Sequence, residues 1–269
     1  MNLLSSSRFP MTTSGPPLGG AASAFENIFA SYSERALTYQ KDRPYAIAGL
    51  ERRLMDLYKT GSSHGIVHCC LGRSLLWQRS GTERLKRISD YGVEVVPSWS
   101  WMKYEGKIRY GSISKLNISW NRDIKLIPPG LSAQEQHALE APGRKILQRC
   151  HIELQPDTTC KINDAEGHLV GCIRFDHKDQ VDVGCLRFIV IAWHKFKSWT
   201  ELGKDTLKDF ADISWGGELE WHNLCYVLVV SHVAFEQGHE IEEYHRLGVG
   251  VIQGGCLSFS GQPRILRVV

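Results

Sequence analysis

The densest group of metal-ligating side chains in the sequence lies between residues 64 and 70. His64 and His68 are followed directly by Cys69 and Cys70. On a helix the two histidines would share one face, and a cysteine thiolate could add a third ligand. Adjacent cysteines point in different directions, however, and no second cluster supplies the paired ligands of a structural zinc site. We therefore expect no metal and no cofactor, and we expect these thiols to be buried as small apolar side chains.

Nucleophilic or acid–base catalysis has two further candidate groups. The many cysteines and histidines allow numerous Cys–His pairs, but no local signature of a catalytic thiol accompanies any of them. An acidic stretch around Trp215 could supply paired carboxylates, although a solvated surface loop has the same composition. Its carboxylates are Asp205, Asp209, Asp212, Glu218 and Glu220. These patterns assign no catalytic residue.

Three glycines, Gly248, Gly250 and Gly254, have a spacing similar to that of a phosphate-binding loop. No Lys-Ser or Lys-Thr pair follows them, and their surroundings indicate a strand rather than the strand-to-helix turn that such a loop needs. Glycines within a strand permit a bulge or a close crossing against a bulky aromatic neighbour. We therefore predict a structural role for Gly248 and Gly250.

An aromatic segment follows, in which Pro97 precedes Trp99 and Trp101 and an alternating pattern ends at Tyr110. Side chains alternate between the two faces of a strand, so both indole rings would lie on one face. The Glu-Gly pair at 105–106 supplies a turn, and the segment therefore predicts a β-hairpin. We expect a buried aromatic cluster, because Trp and Tyr contribute large apolar areas to cores; a recognition surface is the alternative.

Composition excludes several classes of protein. The chain has 269 residues and a net charge of +3, which is too small to indicate nucleic-acid binding. Residues 1–127 carry 18 Lys and Arg against 10 Asp and Glu, whereas residues 128–269 carry 14 Lys and Arg against 19 Asp and Glu. The basic first half could attract an acidic partner, although ordinary solvated faces explain the asymmetry as well. No CxxC pair, signal peptide or membrane-length apolar run occurs. We expect an intracellular, cytoplasmic protein with reduced thiols and no membrane span.

Hydrophobic periodicity divides the chain into three parts. Residues 1–22 are rich in Ser, Gly and Pro and predict a disordered lead. Residues 23–92 have apolar residues at spacings of three and four, which predicts a helical subdomain. Residues 93–269 predict a β-rich domain with a polar insertion near 128–146 and a long loop near 195–221.

Within the helical part we predict three helices. The first runs from Ala24, and the second begins at a cap on Asp42 with Pro44 in its first turn. Gly61 would end the second helix, and an apolar segment over 66–77 predicts the third.

The β-rich part is predicted from segments rich in Val, Ile and aromatic residues. These are Ile113–Trp120, Cys150–Leu154, Leu169–Phe175, Cys185–Trp193, Leu224–Val230, Arg246–Gln253 and Pro263–Val269. No amphipathic helices separate them, which favours antiparallel pairing. The predicted fold class is therefore α+β, with a small N-terminal helical layer followed by a mostly antiparallel β-rich domain, either a sandwich or a partly open barrel.

Several segments occur in the order found in one fungal family. They are Tyr32–Thr38, Leu71–Arg79 with Trp77, Pro97–Trp101, Tyr226–Val230, and Tyr244–Gly250 with Gly248. In this order the chain resembles the region that follows the HET domain in heterokaryon-incompatibility (HET) family proteins, across residues 24–255. The Pro-Ser-Trp-Ser-Trp segment carries most of the resemblance.

The resemblance implies an interaction or regulatory module of fungal allorecognition and programmed cell death. The family's HET domain, thought to be related to TIR-type modules, precedes these segments, and nothing here resembles its opening Ser-Tyr-x-Trp-Gly-type motif. We therefore expect a truncated, non-catalytic HET family member that binds a protein partner. The alternatives are a thiol- or carboxylate-dependent hydrolase on a β-rich scaffold and an inert remnant.

Overall fold

The structure, a computed structural model, describes several stretches of the chain. They are residues 18–88, 96–111, 113, 118–128, 137–155, 159–177, 181–196, 222–233, 242–259 and 263–269. The first 17 residues of the predicted lead, the acidic stretch between residues 205 and 220, and the predicted loop from residue 197 lie outside the described residues.

A helical layer opens the described chain. Its helices are α1 (Leu18–Ser33), α2 (Arg43–Tyr58) and α3 (Leu71–Leu75). The first helix begins at Leu18, so the prediction of a disordered lead is wrong for residues 18–22. Its apolar stripe is buried, with Phe25 and Phe29 almost fully enclosed. Among the described residues, no helix is both long and apolar enough to cross a membrane.

The second helix lies close to its predicted limits. Asp42 precedes it, but the predicted cap is wrong in detail, because the Asp42 side chain makes no capping hydrogen bond. Pro44 lies in the first turn, where a missing N–H costs no hydrogen bond. The helix ends before Gly61, because Lys59 adopts a left-handed backbone conformation with a φ of 51°. The predicted third helix over 66–77 is limited to the five residues of α3, since both flanks pair as strands.

Short strands pair in twos beside this layer. They are β1 (Ser62–Ser63) with β2 (Ile66–Val67), β3 (Trp77–Arg79) with β6 (Ile108–Tyr110), and β4 (Lys86–Arg87) with β5 (Tyr104–Glu105). The predicted hairpin after Trp101 is therefore wrong, because β5 and β6 pair with β4 and β3 rather than with each other. Its physical cause is Ser100, whose hydroxyl accepts the N–H of Met102 and starts a 3-10 turn over Trp101–Lys103. Trp77 lies directly opposite Tyr110.

One large sheet contains the remaining strands. They are β7 (Ile118–Trp120), β8 (Lys125–Ile127), β9 (Ala138–Arg144), β10 (His151–Leu154), β11 (Thr159–Asn163), β12 (Leu169–Phe175), β13 (Leu186–Phe196), β14 (His222–His232), β15 (Glu243–Gln253) and β16 (Ile265–Val268). The order is β10-β11-β12-β15-β14-β13-β9-β16, and β16 also pairs with β15, which closes part of the sheet. Every pairing except β15–β16 is antiparallel. The predicted α+β class is confirmed, and its β-rich part is a partly closed barrel.

The polar insertion predicted near residues 128–146 is wrong where it meets β9. This strand pairs with β8, β13 and β16, and its Leu139 and Ala141 are fully buried. Pro142 and Gly143 disguise the strand in the sequence. The glycine is required there, since a Cβ on Gly143 would overlap the side chain of Leu266. The first two residues of the loop predicted near 195–221 belong instead to β13, which extends to Phe196.

A bulge in β15 lies beside the two glycines for which the sequence predicts a structural role. Val229 lies opposite Gly248 and Val230 opposite Arg246, so Leu247 is the extra residue. A Cβ on Gly248 would lie 2.9 Å from Cα of Phe175, and Gly250 is similarly close to the backbone of β12. The glycines therefore allow β12 to approach β15, as predicted in kind, although the neighbour is backbone rather than an aromatic ring.

The central strands of the large sheet are buried on both faces. Along β14, Leu224, Tyr226 and Leu228 belong to one apolar cluster, and the intervening Cys225 and Val227 belong to another. The first cluster also contains the apolar residues of α1 and α2. The helical layer therefore packs on one face of the sheet, and the aromatic segment of the sequence lies at their junction.

Candidate functional site

A cavity of about 250 Å³ lies between the first turns of α2 and the hairpin β1–β2. Its wall includes Tyr45 and Glu51 from α2, Ser63 and His64 from the hairpin, and His137, which precedes β9. Hydroxyl, carboxylate and imidazole groups therefore meet in one concave place, as they do in binding sites. We treat this cavity as the candidate functional site of the described chain.

The hairpin turn holds His64 in an uncommon backbone conformation. Ser63 pairs with Ile66, which leaves His64 and Gly65 as a two-residue loop with φ angles of 48° and 77°. Such a turn favours Asn or Gly at its first position, because most residues with a Cβ adopt these angles at a cost. The sequence thus has an imidazole where another residue would strain the backbone less.

Neighbouring groups fix the position of His64. Ser100 Oγ donates to the His64 carbonyl oxygen at 2.6 Å, and Glu51 Oε1 accepts the N–H of Gly65 at 3.1 Å. The centroid of the His64 ring lies 4.8 Å from that of His137 and 6.1 Å from that of Trp99. Two imidazoles that are distant in sequence therefore meet in the cavity wall.

The structure separates the metal group that the sequence suggested. His64 lies in the hairpin turn, whereas His68, Cys69 and Cys70 form a 3-10 turn after β2. The two histidines therefore do not share a helix face. Cys69 is exposed, contrary to the expectation of a buried thiol. Sequence reasoning missed His137, because no local pattern connects it to His64.

The second histidine of that group bonds to the hairpin. His68 Nε2 lies 3.0 Å from Ser63 Oγ. Burial lowers the pKa of His68, and the carboxylate of Glu51 opposes this shift. A hydroxyl next to a neutral imidazole is one part of a nucleophilic site, which also needs donors for a developing oxyanion.

Several thiols have raised pKa values. Burial raises the pKa of Cys70, Cys172, Cys225 and Cys256 to about 12. A hydrogen bond to a neighbouring carboxylate raises the pKa of Cys185. A catalytic thiol needs a lowered pKa, because the thiolate is the nucleophile. These five thiols lack the property that the thiol-hydrolase alternative requires.

The aromatic residues of the Pro97–Trp101 segment lie behind the hairpin turn that forms part of the cavity wall. Trp99 and Trp101 are fully buried, and Pro97 beside them is also buried. Trp101 Nε1 donates to the carbonyl of Gly65 at 3.3 Å, and Trp77 Nε1 donates to that of Trp99 at 2.9 Å. The segment is thus a core element that supports the hairpin turn rather than a surface patch.

A buried ion pair joins this aromatic core to the sheet. Arg246 on β15 and Asp176, which follows β12, are fully buried, with Arg246 Nε 2.7 Å from Asp176 Oδ2. The guanidinium also donates to the carbonyls of Leu75 and Trp77, and it lies 3.4 Å from the centroid of the Trp77 ring. The pKa of Asp176 is raised, because the effect of burial is larger than the opposing effect of the Arg246 guanidinium. Tyr244, two residues before Arg246, is buried in the same cluster.

A second group of possible metal ligands lies far from the cavity, in the turn between β11 and β12. Asp164, Glu166 and His168 bring their ligand atoms within 4.8 Å of one another. Asp164 Oδ1 accepts the N–H groups of Glu166 and His168, so the carboxylate already stabilises the turn. This arrangement is explained by turn geometry.

Two exposed tyrosines flank the start of α2. Tyr39 and Tyr45 are 63% and 61% exposed, and Tyr45 forms part of the cavity wall. The helix beneath them is fixed, because Ile47 and Leu54 are buried in the core and Tyr32 Oη donates to the Arg43 carbonyl at 3.0 Å. Large aromatic side chains are therefore presented to solvent from a rigid support.

Comparison with known proteins gives no match to any family model, any curated protein or any solved structure. The resemblance to the HET family therefore stays a prediction from the sequence.

Proposed function

We propose that the chain is a non-catalytic interaction or regulatory module of an intracellular incompatibility protein, and that it binds a protein partner through Tyr39 and Tyr45. The observation that carries this proposal is the pair of exposed tyrosines beside a concave site. Tyrosine offers a large amphipathic contact area at a low entropic cost, which is why it is enriched in protein interfaces. We call these two residues the tyrosine pair.

The support beneath the tyrosine pair favours recognition over catalysis. Residues that contact a partner bind more tightly when they are already held in place, because less conformational freedom is lost. Tyr45 lies on a helix whose inner face is buried, and the neighbouring Arg43 is enclosed with its guanidinium 6.0 Å from the Tyr32 ring. The hydrolase alternative has less support, because burial raises the pKa of four of the eight thiols to about 12.

The experiment is expression of the chain in a fungal host with and without a full-length HET family relative. We expect the chain to co-purify with the relative and to alter its death response. The double variant Tyr39→Ala/Tyr45→Ala should lose both effects while folding normally.

Phe259→Ala is the matched control. Phe259 is an exposed aromatic residue beside Arg144, at the far end of β9 from His137. Seven residues of strand separate the two ends by about 20 Å. The control should behave like the wild type. Loss of binding in both variants, or a wild-type chain that neither binds nor alters the response, would contradict the proposal.

A further inference from the structure

The contact between His64 and His137 lies at the wall of the cavity. Imidazole nitrogen is a preferred ligand of Zn²⁺ and of other divalent transition metals. We propose that His64 and His137 together bind one divalent transition-metal ion, with Zn²⁺ as the best match, and that water completes its coordination. This site shares the cavity with Tyr45, but metal binding can be measured without the proposed partner.

The separation of the two rings fits a shared ion. With Zn–N bonds of about 2.0–2.1 Å, two imidazoles on one tetrahedral ion have ring centroids about 5 Å apart. The observed distance between the centroids is 4.8 Å, and the ring planes are 83° apart. The two rings are therefore close enough for one ion to bind a nitrogen atom of each.

The backbone around His64 is arranged to present its ring. His64 has a φ of 48° in the hairpin turn, a conformation that histidine adopts more readily than most residues with a Cβ, and its ring projects from this turn to the cavity wall. Ser100 Oγ holds the carbonyl oxygen of His64, and Glu51 Oε1 holds the N–H of the next residue. These two hydrogen bonds fix the backbone of the turn from which the imidazole projects. The carboxylate of Glu51 also brings a negative charge to the cavity that would hold the cation.

The open positions of the ion would face the cavity. A structural zinc ion has four protein ligands, whereas a zinc ion with fewer protein ligands keeps coordination positions that water or another ligand can occupy. A site with two protein ligands is therefore expected to bind reversibly and to be emptied by a chelator.

The test is a calorimetric titration of the free, reduced chain with ZnCl₂ after treatment with a chelator. The ligand variants are His64→Asn, which tolerates the left-handed backbone, and His137→Gln. Changes outside the coordination sphere already cost about 10–100-fold in affinity, so each variant is expected to cost at least about 100-fold.

Two control variants address the other possible ligands. His168→Gln removes the imidazole of the turn between β11 and β12, and Cys69→Ser removes an exposed thiol near the hairpin. Both should retain the affinity of the wild type. Absence of zinc binding by the wild type, retained affinity in His137→Gln, or lost affinity in either control would overturn the proposal.

A measurement on the wild-type chain covers the case in which a ligand variant fails to fold. Bound Zn²⁺ should protect His64 and His137, but not His168, from carbethoxylation by diethyl pyrocarbonate, as read by mass spectrometry. Equal modification of all three histidines with and without Zn²⁺ would overturn the proposal.

Discussion

Removing the counter-charge of Arg246 tests how the aromatic core is joined to the sheet. Asp176→Ala leaves a guanidinium with no solvent exposure and no neutralising carboxylate. Two carbonyl acceptors and the face of Trp77 remain, but none of them carries a full negative charge. Breaking a buried pair by removing one partner costs about 3–5 kcal/mol. We expect a loss of this size from a free energy of unfolding of roughly 5–15 kcal/mol.

The matched control is an exposed ion pair of similar length. Lys107 Nζ lies 2.7 Å from Glu34 Oε1, and both side chains are about half exposed. Glu34→Ala should therefore cost less than about 1 kcal/mol. Asp176→Asn keeps the shape of the buried side chain, but it removes the charge and replaces one of the two oxygens that accept from Arg246 with an amide NH₂. It should therefore cost about 1.5–3 kcal/mol.

The assay is equilibrium unfolding in urea, followed by tryptophan fluorescence, with the slope of the transition checked for equality between variants. Similar losses for Asp176→Ala and Glu34→Ala would refute the reasoning, because burial would then have no effect on the cost of an unpaired charge. A large loss in Asp176→Ala with none in Asp176→Asn would show that packing, rather than charge, is responsible.

Three further predictions concern stability. Gly248→Ala should lower the free energy of unfolding in urea by about 3 kcal/mol, because its Cβ would lie 2.9 Å from the Cα of Phe175. Gly49→Ala in α2 would meet nothing within 4 Å, so it should raise the free energy of unfolding by about 0.5–1 kcal/mol. Trp99→Ala should cost about 3–5 kcal/mol in the same assay, since its ring is fully buried. Burial and nearby basic side chains such as Arg87 lower the pKa of His245 to about 4 in the folded chain. In the unfolded chain this pKa is about 6.5, so the unfolded chain binds more protons than the folded chain between about pH 4 and pH 6.5. Native stability should therefore fall by about 1–2 kcal/mol as the pH falls from 6.5 to 4, allowing for solvent screening, and His245→Gln should remove this part of the loss in thermal unfolding.

Each of these predictions has a clear contrary result. Equal stability of the two glycine variants would mean that the close approach of β12 to Gly248 is not enforced. Unchanged stability of Trp99→Ala with lost partner binding would make the aromatic cluster a recognition surface. Identical pH profiles for the wild type and His245→Gln would show that His245 is protonated alike in both states.

The strands of the large sheet were predictable because their composition is local information. Leu169–Phe175 matches its predicted bounds, since a run of Val, Ile and Phe is typical of a strand buried on both faces. β9 was not predictable in this way. Its Pro and Gly are typical of loops, and only its pairing with three other strands makes it part of the sheet.

The candidate site was predictable only in part. The sequence drew attention to His64, but helical spacing paired it with His68, whereas the two-residue hairpin turn directs it to His137. The pair of Asp176 and Arg246 was missed for the same reason, because each residue alone has the pattern of a surface charge. Contacts between distant segments depend on topology, which local periodicity does not encode.

The central claim is that the tyrosine pair recognises a protein partner, and its most direct test is an affinity measurement. A purified HET family protein that contains the HET domain would be titrated with the wild-type chain and with Tyr39→Ala/Tyr45→Ala. Interface anchors typically cost at least about 2 kcal/mol when truncated, which corresponds to about 30-fold in Kd. We predict a weakening of at least this size, with Phe259→Ala unchanged. An equal Kd for the wild type and the tyrosine variant would contradict the claim.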